Sequence, residues 1–257
     1  MGIVVAMVNQ KGGVGKTTTA VNLGACLAAL EKRTLVVDLD PQANATSGTG
    51  FPKSGIPSMY GVLVEGHDIH SVVQDAGLPT FRLAPSSIDL VGADLELAEI
   101  EGREHRLKAA LDLIRDEYDF ILIDCPPSLG LLTVNALTAA DVVVVPLQCE
   151  YYALEGVSQL VHTVDRVRET LNPELEIAGI VLTMYDERIN LARQVAEEIR
   201  NFFGDKVFET VIPRNVRLAE APSFGKPILL YDVKSKGSEA YLQLAQEFTR
   251  KLEVVIQ

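Results

Sequence analysis

Near the start of the chain, three closely spaced glycines are followed by a lysine and a threonine, a combination suited to holding phosphate groups. Gly12, Gly13 and Gly15 lack a Cβ atom, so the backbone can wrap closely and turn its N–H groups onto phosphate oxygens. Lys16 is placed to reach the β- and γ-phosphates of a nucleotide, and the Thr17 hydroxyl is placed to ligate Mg²⁺. The segment therefore predicts a site for a nucleoside triphosphate and its magnesium ion.

The chain on either side supplies the strand and the helix that such a loop needs. An apolar, β-branched run at 3–8 precedes the loop, and a segment that reads as helical follows it from Thr18 to Leu30. The N-terminal end of a helix carries partial positive charge, which adds to the attraction for phosphate. We therefore expect Val14 and Thr18 to belong to the phosphate-binding loop as well.

The loop departs from the usual phosphate-loop pattern in an informative way. Gln10 stands where that pattern has glycine, and a second lysine, Lys11, lies at the mouth of the loop. The resulting K-G-G-x-G-K-T sequence resembles the deviant Walker A motif of the ParA/MinD family of ATPases. In that family the additional lysine reaches across a dimer interface to the phosphates of the partner's ATP. The resemblance thus implies an ATP-dependent homodimer and catalytic roles for Lys11 and Lys16.

Acidic residues at two strand ends would complete the catalytic apparatus. Asp124 closes the apolar run 120–124 and precedes two prolines, a segment that resembles the second acidic motif of the same family, where a carboxylate helps to hold Mg²⁺. Asp38 ends a strand predicted at 34–38 and Asp40 lies two residues further on, and we expect only one of them to face the γ-phosphate. The resemblance assigns orientation of the attacking water to Asp40, and it places Asp38 nearer the metal or the second lysine.

The remaining sequence alternates predicted strands with predicted helices. Further strands are expected at 81–84, 120–124, 142–145, 177–182 and 207–212, and helices at 58–64, 90–115 (in two parts, separated near Gly102), 154–171 and 191–203. We expect no regular element between 41 and 58, and a last helix from Ser238 to about Val254, with Ser238 as its N-cap. The fold class is therefore α/β: one doubly wound, mostly parallel sheet with helices on both faces, forming a single domain over residues 1–257.

Two segments after the last predicted strands should lie at the same edge of the sheet as the phosphate loop, where open α/β folds bind their ligands. These segments are 184–186 and 212–215. The family resemblance implies that Pro213 and Asn215 flank the adenine and hydrogen-bond it.

The charge balance restricts how this chain could bind nucleic acid. A net charge of −12 and a pI near 4.8 oppose binding of DNA or anionic lipid by the surface as a whole, so any such contact must be local. Residues 38–44 and 214–227 resemble the chromosomal ParA branch, whose members bind DNA without sequence preference as ATP dimers and release it after a ParB-type partner stimulates hydrolysis. Candidate DNA contacts are Arg188, Arg214, Arg217, Lys226, Lys234 and Lys236. This reading predicts a cytoplasmic, nucleoid-associated ATPase that does not bind membranes.

Two other functions remain as alternatives. A MinD-like protein would place a basic, amphipathic C-terminal helix on lipid, but the tail 247–257 offsets two basic residues with two acids and is more typical of a packed helix. A nitrogenase-like reductase would hold an iron–sulfur cluster between subunits, for which Cys125 and Cys149 are the candidates. With Cys26, these thiols are widely spaced and odd in number, a pattern more typical of inert buried cysteines.

Overall fold

Seven strands form one sheet in the computed structural model, which describes residues 1–255. The strands are β1 (Ile3–Met7), β2 (Thr34–Asp38), β3 (Gln74–Asp75), β4 (Phe81–Ala84), β5 (Phe120–Asp124), β6 (Val142–Gln148) and β7 (Glu176–Thr183). Their order is β3-β4-β2-β5-β1-β6-β7, and every pair is parallel except the short β3 with β4. Asp124 is in register with Met7 on one side and with Asp38 on the other. The carboxyl ends of the three central strands therefore meet at one edge of the sheet.

Helices cover both faces of this sheet. They are α1 (Lys16–Ala29), α2 (Asn44–Gly48), α3 (Leu90–Ala98), α4 (Arg106–Asp112), α5 (Leu131–Ala139), α6 (Ala153–Thr170), α7 (Asn190–Phe203), α8 (Val216–Glu220), α9 (Ile228–Tyr231) and α10 (Lys236–Val255). One apolar core lies between the sheet and α1 with α10, and a second lies between the opposite face and α3 to α7. The strands are almost continuously apolar because both faces are buried. The predicted doubly wound, mostly parallel α/β fold is confirmed.

The predicted strand at 207–212 is wrong. The two ends of this segment each donate one backbone hydrogen bond to β7, at 2.9 and 2.8 Å. Between them, the amides of Glu209 and Thr210 donate instead to the carboxylate of Glu247 in α10, at 2.7 and 2.9 Å. A ladder needs successive backbone pairs, so the segment runs beside the sheet without joining it as a strand.

Two local predictions are also corrected. The segment 41–58 contains helix α2, because the carboxylate of Asp38 accepts a hydrogen bond from the backbone N–H of Thr46 and holds that turn against β2. Ser238 lies inside the first turn of α10, and the hydroxyl oxygen of Ser235 accepts from the Ser238 N–H at 3.2 Å. Ser235 therefore caps the helix, three residues earlier in the chain than expected.

The C-terminal tail lies at the limit of the described structure. Helix α10 continues to Val255, and positions 256 and 257 of the tail considered above lie outside the described residues. None of the helices within residues 1–255 combines the length and the apolar character needed to cross a bilayer.

Candidate active site

The phosphate loop connects β1 to α1 and is held from both sides. Gly13 and Gly15 have φ values of +75° and +89°, in the left-handed region that favours glycine. At the start of the loop, the amide of Asn9 donates to the carbonyl of Pro146 in β6 at 2.8 Å, and its oxygen accepts from the backbone N–H of Lys11 at 2.9 Å. These bonds fix the loop to the neighbouring strand, so its free N–H groups are arranged before any ligand binds.

A second attachment fixes the loop from β7. The hydroxyl of Thr183, the last residue of that strand, donates to the carbonyl of Val14 at 2.7 Å, and Val14 itself is buried. Val14 therefore anchors the loop through its backbone and does not line the open cleft. No pattern in the sequence marked Thr183, because a threonine at a strand end is common.

Lys16 is the first residue of α1 and is almost fully buried, with 6% of its surface exposed. Its ammonium group donates to the carbonyl of Lys11 at 3.2 Å, and burial lowers its pKa, an effect that the nearby carboxylate of Asp124 opposes. The side chain thus has few partners of its own in the protein. A phosphate group in the loop would supply the missing negative charge.

Asp124 is the most unusual acidic group in this region. It ends β5 with no exposed surface, and neither carboxylate oxygen has a hydrogen-bond partner among the described residues. Burial and the neighbouring carboxylate of Asp38 raise its pKa well above the usual range, although the nearby hydroxyl of Thr17 acts in the opposite direction. Buried carboxylates are normally paired, hydrogen-bonded or bound to a metal. An oxygen donor of this kind at the loop fits Mg²⁺, which prefers carboxylate, hydroxyl and phosphate oxygens.

Asp38 and Asp40 have different surroundings although they are two residues apart. The carboxylate of Asp38 is fully buried and accepts from the backbone N–H of Asp40 at 3.1 Å and from the N–H and hydroxyl of Thr46 at 2.8 and 2.7 Å. Burial raises the pKa of Asp38 to about 6, and the hydrogen bonds from Thr46 and Asp40 act in the opposite direction. Asp40 lines the cleft. Asp38 is the last residue of β2, whereas Asp40 lies two residues beyond the strand, where its carboxylate accepts from the backbone N–H of Gln42 at 2.9 Å.

The cleft beside the loop has a volume of about 400 Å³, within the range of small-molecule sites. Its lining includes these residues named in the sequence analysis: Gly12, Gly13, Gly15, Lys16, Thr17, Thr18, Asp40, Pro213, Arg214 and Asn215. The lining also includes residues to which no function was assigned from the sequence, namely Asn44, Pro127, Thr183, Leu218, Ala219 and Tyr241. The phosphate loop and the segment predicted to hold adenine therefore face one common space.

At the far end of the cleft, the side chain of Asn215 has a structural role of its own. Its oxygen caps α8 by accepting from the backbone N–H groups of Arg217 and Leu218, at 2.8 and 3.3 Å. The side-chain nitrogen is not used by this cap, so it is the atom that could donate to a base. Pro213 pairs with Tyr185 in an isolated parallel bridge, which holds this wall beside the end of β7.

Lys11 lies outside the cleft that Lys16 lines. Its side chain is about half exposed (53%) and forms an ion pair with Glu150, which follows β6 and is itself 44% exposed. Glu150 was not predicted as a partner of Lys11, because an exposed acid after a strand carries no distinctive sequence signal. Within one chain, therefore, the two lysines of the motif do not point into the same space.

The basic residues considered for DNA binding fall into two groups. Arg188 pairs with Asp186 at 2.6 Å, which lowers the pKa of that carboxyl to about 2, and Arg217 pairs with Glu220 and Asp232 at 2.9 and 3.4 Å. The others are exposed and have no carboxylate within 4.0 Å in the part of the chain that is described: Arg214, Lys226, Lys234 and Lys236. All four belong to the segment 214–236, which therefore contains the unpaired members of this candidate set.

The cysteines are all buried. Burial raises the pKa of Cys26 to about 12 and that of Cys149 to about 11, and it raises the pKa of Cys125 well above the usual range. Cysteine binds metal as the thiolate, so these surroundings disfavour cluster ligation.

Comparisons with known proteins cover nearly the whole chain. A family model described as an AAA domain matches residues 2–177. The chain is 57% identical to the sporulation initiation inhibitor protein Soj of Bacillus subtilis (strain 168), over 96% of this chain and 98% of that protein. It is 55% identical to the chromosome partitioning protein ParA of Myxococcus xanthus (strain DK1622), over 98% and 89%.

A solved structure with the same fold was crystallised with a nucleotide. Cobyrinic acid a,c-diamide synthase from Mycobacterium smegmatis, crystallised with bound ADP and magnesium, superimposes with a TM-score of 0.86 at 38% identity, over 98% of this chain and 96% of that one. The identity to the two partitioning proteins is considerably higher than the identity to this synthase.

Proposed function

The chain belongs to the Soj/ParA family of chromosome-partitioning ATPases, and from that premise we propose that it is a dimeric DNA-binding switch driven by ATP. It is an ATPase with ATP and Mg²⁺ as its cofactors, and its role lies in chromosome or plasmid segregation. The proposal concerns how this chain couples ATP to dimerisation, to DNA and to a ParB-type partner.

The first step is capture of the triphosphate. The N–H groups of the loop 12–18 bind phosphate oxygens, and Lys16 exchanges its weak bond to the Lys11 carbonyl for the β- and γ-phosphates. Thr17 and Asp124 hold Mg²⁺, which when bound neutralises charge on the phosphates. Asp124 supports this assignment because its carboxylate has no other partner among residues 1–255. Asp38, whose oxygens are engaged by Thr46 and Asp40, is assigned an indirect place beside the metal.

Hydrolysis then depends on orienting one water molecule. Asp40 is the carboxylate that faces the cleft, and we assign it to hold and polarise the attacking water. Phosphoryl transfer proceeds through a loose transition state, so positioning and charge neutralisation are the main requirements and no covalent nucleophile is needed. At the other end, the adenine lies against Pro213, and the side-chain nitrogen of Asn215 donates to it.

Dimerisation follows from the position of Lys11. Its ammonium group stands outside the cleft of its own chain, within reach of an adjacent molecule, and is held by an exposed ion pair that contributes little to stability. In the dimer it leaves Glu150 and neutralises the phosphates bound by the partner. This exposed position of Lys11 is the observation that carries the proposal, because it gives the motif's second lysine a target only in a second chain.

DNA binding is assigned to the ATP dimer. Each chain contributes the unpaired cations of the segment 214–236, and pairing two chains doubles a basic surface that is too small in one acidic monomer. A ParB-type partner then stimulates hydrolysis, the dimer opens and DNA is released. Such binding would associate the protein with the nucleoid.

The test is DNA binding measured with ATP, ADP or no nucleotide over a range of salt concentrations. We expect binding only with ATP, with log affinity falling by about 0.9 per phosphate neutralised for each unit of log salt. Charge reversal of Lys234 and Lys236 to Glu should reduce both affinity and salt slope, whereas the same reversal at Lys32 and Lys108 should have a smaller effect at equal net charge. DNA binding of equal affinity with ATP, with ADP and without nucleotide would contradict the assignment of DNA binding to the ATP dimer. Equal effects of the two double variants would contradict the assignment to the segment 214–236.

A further inference from the structure

Four residues beneath the cleft form a closed ring of hydrogen bonds. Asp38 accepts from the backbone N–H of Asp40 at 3.1 Å and from the hydroxyl of Thr46 at 2.7 Å. The Thr46 hydroxyl oxygen in turn accepts from the backbone N–H of Ser86 at 2.9 Å. The Ser86 hydroxyl closes the ring by donating to the backbone carbonyl of Asp40 at 2.7 Å. Both the backbone N–H and the backbone carbonyl of Asp40 therefore belong to the ring.

The members of this ring come from three different parts of the fold. Asp38 is the last residue of β2, Thr46 lies in α2, and Ser86 follows β4 just before α3. Asp38, Thr46 and Ser86 have no exposed surface, and neither Thr46 nor Ser86 lines the cleft. Asp40 is the one member of the ring that faces the nucleotide space.

We propose that Thr46 and Ser86 are positioning residues for hydrolysis, which hold Asp40 in place through its backbone. This inference rests on the water-orienting role proposed for Asp40 above. Neither hydroxyl touches the cleft, so neither contributes to ATP binding directly. They act by restricting the backbone conformation of Asp40.

The physical basis is that Asp40 lies outside regular secondary structure, so the ring supplies the hydrogen bond of its backbone N–H and one of those that its carbonyl accepts. It lies two residues beyond the end of β2: the N–H of Leu39 still donates to the carbonyl of Asp124 at 3.0 Å, and the Asp40 carboxylate itself accepts from the backbone N–H of Gln42 at 2.9 Å. The remaining backbone support is the N–H of Ala43, which donates to the Asp40 carbonyl at 2.8 Å. A catalytic group must be held to a fraction of an ångström, and misplacement by about 1 Å can reduce a rate by about a hundredfold. Because the ring fixes both the N–H and the carbonyl of Asp40, it limits the directions that the carboxylate can take.

The experiment compares ATP affinity with turnover in variants of the full-length protein. Thr46→Val keeps the side-chain shape but removes both hydrogen bonds of the hydroxyl, whereas Thr46→Ser retains them. Ser86→Ala removes the bond to the Asp40 carbonyl alone. We expect Thr46→Val to reduce kcat about tenfold or more, with ATP affinity changed less than twofold, and Ser86→Ala to reduce it to a smaller extent. Thr46→Ser should retain most of the wild-type kcat.

A matched control separates positioning from general loss of stability. Thr34 begins β2 at the opposite edge of the sheet, is also fully buried, and donates its hydroxyl to the Lys32 carbonyl at 3.0 Å. Thr34→Val should lower the melting temperature in the way that Thr46→Val does, with kcat unchanged. If the two variants have the same kcat, the inference is wrong.

A double variant tests whether the effect passes through Asp40. In single-turnover measurements, adding Thr46→Val to Asp40→Ala should slow the residual hydrolysis less than twofold, because the group that the ring positions has already been removed. A full tenfold effect in that background would show that Thr46 acts elsewhere. If Asp40→Ala itself hydrolyses ATP at the wild-type rate, the proposed function is at fault rather than the ring. Should Thr46→Val fail to fold, the comparison of Ser86→Ala with Thr34→Val decides the question.

Discussion

Two buried aspartates at the ends of neighbouring strands should respond in opposite directions to the same substitution. Asp38 and Asp124 are register partners in β2 and β5 and both have no exposed surface. Asp38 receives three hydrogen bonds, whereas Asp124 has no partner among the described residues. Without nucleotide and metal, Asp124→Asn should therefore stabilise the protein, and Asp38→Asn should destabilise it.

The size of each effect follows from burial of a polar group without a partner, which costs about 1 to 3 kcal/mol and more when the group is charged. For Asp124, burial and repulsion from Asp38 outweigh the favourable effects of the Thr17 hydroxyl and of Lys16, so replacing the carboxylate by a neutral amide should recover about 1 to 3 kcal/mol. In Asp38→Asn, the amide nitrogen would face hydrogen-bond donors of Asp40 and Thr46. The free energy of unfolding should therefore fall by about 1 to 3 kcal/mol. With about 2 to 4 °C per kcal/mol for a chain of this size, the melting temperatures should move by about 2 to 12 °C, upward for Asp124→Asn and downward for Asp38→Asn.

The sign of the pH dependence follows from the raised pKa of Asp124. Below its unfolded value of about 3.9 the carboxyl is protonated in both states, so it makes no pH-dependent contribution. Above that value the unfolded state loses its proton first, and stability of the wild type falls until the raised folded pKa is passed. The advantage of Asp124→Asn over wild type should therefore grow as pH rises from about 4.

With magnesium and nucleotide bound, the wild type should become more stable than Asp124→Asn. A ligand at about 100 times its Kd stabilises a protein by about 2.7 kcal/mol, so the wild type should gain about 5 to 11 °C with Mg²⁺ and a non-hydrolysable ATP analogue. In the wild type, EDTA should remove the part of this rise in melting temperature that depends on Mg²⁺. Asp124→Asn should lack that part even when Mg²⁺ is present. Thermal melting with analogue plus Mg²⁺, analogue plus EDTA, and no ligand gives all three values. Destabilisation of the ligand-free protein by Asp124→Asn, or an unchanged magnesium-dependent gain, would refute the assignment of Asp124 to the metal.

Three other substitutions test the remaining roles. Lys16→Ala should reduce affinity for a fluorescent ATP analogue by at least about a hundredfold, because it removes a buried charge partner of the phosphates; near-normal affinity would contradict that role. Asp40→Ala should bind ATP normally but reduce kcat by about a hundredfold or more in a phosphate-release assay, and unchanged turnover would show that another group orients the water. Glu150→Gln frees Lys11 from an exposed pair worth up to about 1 kcal/mol, and two such pairs break for each dimer formed, so the protein concentration for half-dimerisation with ATP should fall by up to about thirtyfold, as measured by light scattering. A rise in that concentration would show that Glu150 supports the dimer instead.

The sequence predicted the phosphate loop and the central strands because their signals are local. Gly13, Gly15 and Lys16 act through backbone conformation and spacing, which are properties of a few consecutive residues. Buried parallel strands likewise appear as short apolar runs. These features did not depend on knowledge of the rest of the fold.

Several features that the sequence did not reveal depend on contacts between distant segments. Glu247 takes the backbone N–H groups that would have extended the sheet at 207–212, from 38 and 37 residues away. Thr183 secures the loop through the carbonyl of Val14, 169 residues away. The ring through Ser86 joins segments 46 and 40 residues apart. Such partners follow from the topology of the sheet and have no periodicity or motif of their own.

The central claim is that Lys11 links ATP binding to pairing of two chains. Its most direct test is light scattering coupled to gel filtration in ATP and Mg²⁺, comparing Asp40→Ala with the double variant Lys11→Ala and Asp40→Ala, so that hydrolysis is blocked in both. We expect a dimer for the first protein and a monomer for the second, at equal ATP occupancy. A monomeric Asp40→Ala protein, or a dimer of unchanged affinity in the double variant, would contradict the claim.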